Sequence, residues 1–113
     1  MIISKELLSE VVGMPYPCIT NMRIGNNIVE YTTYELPTHK YKEINIHELA
    51  HKCKEWALNQ DIVIHTFIDH NGRAFARRGS GIIPTMGGNY SGDTEPEAIF
   101  RACEWILEQK AKS

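Results

Sequence analysis

Apolar residues recur along this chain at two periods, and the switches between them mark out its elements. Leu7, Leu8, Val11 and Val12 are spaced i, i+1, i+4 and i+5, which predicts a short helix over residues 4–12 capped by Ser4. Gly13 ends it, and Pro15 and Pro17 forbid its continuation. Residues 19–24 and 28–34 favour strands, and Gly25-Asn26-Asn27 between them is a hairpin turn signal. Residues 36–43 contain Pro37 and read as a connecting loop. Asn45 then caps a helix over 46–59 that gathers Ile46, Leu49, Ala50, Cys53, Trp56 and Ala57 on one face.

A second hairpin follows, with strands over 61–68 and 73–78. Taking Asn71-Gly72 as a two-residue turn sets Phe75 opposite Ile68 and Ala76 opposite Phe67. One face then holds Ile62, Ile64, Thr66, Ile68 and Phe75, and the other Val63, Phe67, Ala74 and Ala76. Apolar residues on both faces predict a sheet covered, at least in part, on both sides. Residues 79–93 carry five of the eight glycines and read as one long connection. Thr94 and Glu97 then form a capping box for a last helix, whose buried stripe is Ile99, Ala102, Cys103 and Ile106 and whose end frays near Lys110.

The predicted order is helix, hairpin, helix, hairpin, helix. It implies an α+β fold in which two hairpins form an antiparallel four-stranded sheet with helices packed on it. At 113 residues, 42% of them apolar and 23% charged, the composition fits one ordinary globular domain spanning 1–113. The net charge of −2 argues against a strongly basic nucleic-acid binder while leaving room for a local patch. No apolar run reaches the roughly 18–20 residues of a membrane helix. Cys18, Cys53 and Cys103 are odd in number and widely spaced, unlike a disulfide framework or a paired zinc site. With no signal-peptide pattern at the start, the expected compartment is the cytoplasm.

His47-Glu48-Leu49-Ala50-His51 is a literal H-E-x-x-H on a predicted helix. Two histidines one turn apart can chelate zinc while the glutamate activates water. His65, His70 or a downstream glutamate could complete such a site. On the helical wheel, however, His47 and His51 lie far from the apolar face, beside Lys54. A solvated histidine face therefore outweighs a catalytic metal, and no metal or cofactor is expected.

Arg73, Phe75 and Arg77, with Arg78 next along the strand, would make a basic and aromatic platform for nucleic acid. The structural alternative, which the expected register favours, places Phe75 in the core with Ile64 and Ile68. In the glycine-rich loop, Ile82, Ile83, Met86 and Tyr90 are adhesive side chains for a protein partner. Phosphate binding there is disfavoured by Asp93, Glu95 and Glu97 at the next helix N-terminus. Trp105, off the predicted stripe, is either the margin of a wide core or, if exposed, part of a partner or homodimer surface.

Two stretches resemble a known group together: residues 46–57, IHELAHKCKEWA, and residues 93–103, DTEPEAIFRAC. The second is similar to the C-terminal helix of phage ABA-sandwich domains, found in small proteins of phages and prophages. The resemblance spans about residues 45–107. It implies an antiparallel sheet between helices and an accessory protein of a mobile element, with no activity to carry over. The expected function is a non-enzymatic interaction protein that binds a protein partner, a host or defence factor. The alternatives are a small zinc hydrolase and a nucleic-acid binder.

Overall fold

Each helix is started by a capping side chain that its sequence supplies. The computed structural model describes residues 3–15, 18–80 and 89–112. Helix α1, Lys5–Val12, is capped by Ser4, whose hydroxyl accepts from the amide of Leu7 at 3.1 Å. It ends where Gly13 turns left-handed, at φ 77°. Helix α2, Ile46–Leu58, is capped by Asn45, and its buried residues are the six that the helical period predicts. Helix α3, Glu95–Lys112, is capped by Thr94, while the Glu97 carboxylate reaches back to the Asp93 amide at 3.3 Å. It runs past the point where fraying is expected.

Between the helices lie two antiparallel three-stranded sheets rather than one sheet of four. Sheet A contains β1, Ile19–Ile24, β2, Ile28–Glu35, and β3, Thr38–Asn45, in that order. Sheet B contains β4, Ile62–Ile68, β5, Ala74–Ser80, and β6, Asn89–Gly92. The element order is thus α-βββ-α-βββ-α, and the α+β class holds.

Two segments expected to be loops supply the extra strands. Pro37 does not break residues 36–43, because it sits in the turn between β2 and β3, where its missing N–H costs no ladder bond. The β3 strand that follows pairs along its whole length with β2, from Glu35 opposite Thr38 to Ile28 opposite Asn45. Strand β6 ends at Gly92, which has no room for a side chain. A Cβ there would lie 2.9 Å from the Ala98 backbone nitrogen and 2.9 Å from Glu97 Cβ. Glycine at this position lets β6 press against the first turn of α3.

Helices α2 and α3 pack against each other and against sheet B, with α1 against both helices and β1. One buried cluster runs through all of these elements, from Ile3 and Leu7 through Val29 and Ile44 to Leu49, Ile64, Ala76, Phe100 and Ile106. The amide and hydroxyl of Ser4 both donate to the Glu104 carboxylate at 2.9 Å, tying the start of α1 to α3. Cys53 and Cys103 meet in this core, where the Cys103 thiol donates to the Cys53 carbonyl at 3.5 Å.

Candidate functional site

The second hairpin decides which side chains sheet B shows to its surroundings. Its turn is not the two-residue Asn71-Gly72 turn. Asp69 pairs with Arg73 across a three-residue loop, the Asp69 amide donating to the Arg73 carbonyl at 3.0 Å. The Asp69 carboxylate accepts from the amides of Asn71 and Arg73, each at 2.9 Å, and Gly72 takes the left-handed position at φ 81°. A three-residue hairpin loop with glycine in this conformation moves the register by one. Phe75 therefore pairs with Phe67, and Ala74 with Ile68.

A one-residue slip turns every side chain of a strand to the other face. Ala74 and Ala76 join Ile64 on the face that α2 and α3 cover, and both alanines are buried. Phe75 leaves the core position expected beside Ile64 and Ile68. It lies instead on the outer face with Val63, His65, Phe67, Arg77 and Ser91. The sheet is thus helix-covered on one face, while the other presents exposed aromatic surface, contrary to the expectation of cover on both.

On this outer face Phe67 remains 40% exposed. The rings of Phe67 and Phe75 stack nearly parallel, with centroids 5.3 Å apart and planes inclined by 10°. Arg77 belongs to the next rung, opposite His65, and its guanidinium lies 5.3 Å from the Phe67 ring centroid. That is a cation–π contact within the usual range. Arg73 stands at the end of β5 and donates to the Ser91 hydroxyl at 3.3 Å. Arg78 occupies the rung of Ile64, the alternate position to Arg77. Of the expected basic and aromatic set, the structure brings Phe75, Arg77 and Arg73 together, and it adds Phe67 and His65. The addition was visible in the alternation of Val63, His65 and Phe67, once the register is right.

The H-E-x-x-H residues lie on the exposed side of α2. His51 Nε2 sits 2.7 Å from Glu55 Oε1, an i, i+4 pair on the helix surface. His47 and His51 border a recess of about 300 Å³ with Lys54, Thr94 and Glu95. Glu48, the candidate base, is exposed. Among the described residues, no three His, Cys, Asp or Glu side chains gather into a set that could hold a metal ion.

The other expected contact residues separate into two groups. Ile82, Ile83 and Met86 lie outside the described residues. Tyr90 and Trp105 are half-buried and pack against the core cluster. Elsewhere, a groove of about 870 Å³ between α1 and α3 is bordered by Glu6, Glu10, Glu104 and Glu108. Two of these carboxylates already serve the fold, Glu104 by holding Ser4 and Glu10 by meeting Lys110 Nζ at 3.4 Å.

Sheet A carries one perturbed carboxyl and one perturbed phenol. The Tyr41 hydroxyl donates to Glu30 at 2.9 Å and Glu43 at 3.2 Å, and this pair of carboxylates pushes its pKa up to about 12. Across the sheet, the Thr33 hydroxyl donates to Glu35 at 2.8 Å and, with Lys40 and Lys42 nearby, holds that carboxyl below its ordinary value. These contacts pair charges along exposed strands and converge on no recess.

No family model, curated protein or solved structure matches the chain. No helix of the described residues is long and apolar enough to cross a membrane.

Proposed function

We propose that this protein is a non-enzymatic binding module that works through the outer face of sheet B. The observation that carries the reading is the stacked Phe67–Phe75 pair, turned away from the helices with Arg77 beside it. A hairpin serving only the core would turn its large apolar residues toward the helices. Here the helix side receives Ala74 and Ala76, while the phenylalanine of β5 goes to the other side. Exposed aromatic rings next to arginine are the composition of contact surfaces, because they bring large apolar area at little entropic cost.

The same reading fits an accessory protein of a phage or prophage, whose task is to occupy a partner rather than transform a substrate. Purification of the natively expressed protein tests it, comparing the wild type with Phe67→Ser/Phe75→Ser. The wild type is expected to retain a macromolecule, protein or nucleic acid, that the folded double variant loses. An identical retained set in both would overturn the assignment to this face.

A further inference from the structure

Beyond that reading, we infer that β4 is the edge through which two copies of this chain pair, antiparallel, joining their B sheets into one. The rim of a sheet is a template for another strand, and proteins blunt such rims with charge, bulges or brevity. Three of the four outer strands of the two sheets carry such a device. Strand β1 has Arg23 and a shift in register between Ile19 and Asn21. Strand β3 has Lys40, Lys42 and Glu43, and β6 is only four residues long. Strand β4, IVIHTFI, has none of them. It is seven residues long, holds no proline, Asp, Glu, Lys or Arg, and keeps an unbroken register with β5. Among the described residues no backbone hydrogen bond reaches its free side. Phe67 and Ile68, toward its end, are both exposed.

The mate of this rim follows from its own geometry. The Asp69 amide donates to the Arg73 carbonyl and so points toward β5. Backbone groups alternate sides along an antiparallel strand. Val63, His65 and Phe67 therefore bond to β5, while Ile62, Ile64, Thr66 and Ile68 direct their N–H and C=O groups to the free side. An antiparallel partner must match these four residues with its own outward-directed ones. For two copies of β4 in full overlap, one register does so: Ile62 opposite the second copy's Ile68, Val63 opposite Phe67, Ile64 opposite Thr66, and His65 opposite its own counterpart on the two-fold axis. The strand is chemically symmetrical about His65, so apolar side chains meet apolar ones and Ile64 meets the Thr66 methyl group. That self-complementarity favours a second copy over an unrelated strand. Val63 and Phe67 fall in a non-hydrogen-bonded pair, where side chains approach most closely. The partner arrives in the plane of the sheet, so Phe67 keeps its stack on Phe75 and its contact with Arg77. Seven residues against seven lie well below the roughly 20–30 a side of a standard interface, so the dimer is weak, with a Kd on the order of micromolar or above.

Sedimentation equilibrium of the full chain from about 5 to 500 μM tests this. A concentration-dependent dimer is expected. His65→Lys sets two like charges face to face, and Ile68→Lys opposes a charge to Ile62; each should weaken association about tenfold or more. Both positions are exposed, so circular dichroism should show the fold unchanged. Leu36→Lys, an exposed apolar position in the β2–β3 turn, should leave association as it is. In a Cys18→Ser background, copper–phenanthroline oxidation should link His65→Cys into a covalent dimer. Phe67→Cys should not link, because four residues, about 14 Å, would separate the two thiols. A monomer at every concentration, a dimer indifferent to both lysines, or equal linking of the two cysteine variants would each overturn the inference. So would a monomer that retains a different protein through this edge and loses it in His65→Lys. If the chain is monomeric while Phe67→Ser/Phe75→Ser still loses a retained macromolecule, edge pairing fails and the outer face stands as the contact surface.

Discussion

Phe67→Ala and Phe100→Ala, made side by side, measure how open the outer face of sheet B is. Phe100 has none of its surface exposed, whereas Phe67 has 40%. Truncating a fully buried phenylalanine costs about 3–5 kcal/mol, part of it for the cavity left behind. Phe67 has only three-fifths of its surface out of water. Its transfer contribution, about 1.5–3 kcal/mol for full burial, scales down to roughly 1–2 kcal/mol. The stack on Phe75 adds about 0.5 kcal/mol or somewhat more. No closed cavity forms at the surface, so Phe67→Ala should cost about 1.5–2.5 kcal/mol. At roughly 4 °C per kcal/mol for a domain of this size, the midpoint should fall by about 6–10 °C. Phe100→Ala should lower it by about 12–20 °C. Thermal unfolding followed by far-ultraviolet circular dichroism reads both. Equal losses at the two positions would mean that Phe67 is core and that the outer face is covered.

Three further outcomes follow from local geometry. Gly92→Ala forces a Cβ to within 2.9 Å of the α3 backbone, so urea unfolding should show a loss of about 1–3 kcal/mol, and an unchanged midpoint would contradict the packing of β6 on α3. Spectrophotometric titration should find one tyrosine ionising near 12 instead of 10, and Tyr41→Phe should remove it. Because the folded-state value is raised, the associated stability is complete below pH 10 and is lost as pH rises toward 12, a window that Tyr41→Phe should flatten. In the folded protein a thiol reagent should label the half-buried Cys18 and spare Cys53 and Cys103 until unfolding. The Cys103 thiol beside it, together with burial, pushes the Cys53 thiol well up, so prompt labelling of all three would contradict this core.

The helices were legible in the sequence because each is a local solution. Capping by Ser4, Asn45 and Thr94 and the six-residue stripe of α2 depend on neighbours within two turns. The strands were legible only where burial leaves an alternating trace. In β3, Thr38 through Tyr41 are all exposed, so no period-2 pattern separates that strand from a loop. In β6, four residues end on a glycine whose reason lies in α3, not in its own neighbourhood.

The candidate site turned on one carboxylate. Asn71-Gly72 suits a two-residue turn equally well, but Asp69 closes a longer loop by accepting two amides, and that choice carries Phe75 from the core to the outer face. The H-E-x-x-H histidines illustrate the converse: their helical phase, readable from sequence, already placed them on the exposed side where the structure has them.

Photo-crosslinking in cells reads out whether the outer face of sheet B is the working surface of the protein. A photoreactive phenylalanine analogue at position 67 samples that face, and the same analogue at position 48 samples the exposed side of α2. Adducts from position 67 and none from position 48 are the predicted result. Adducts from position 48 with none from position 67 would contradict the account.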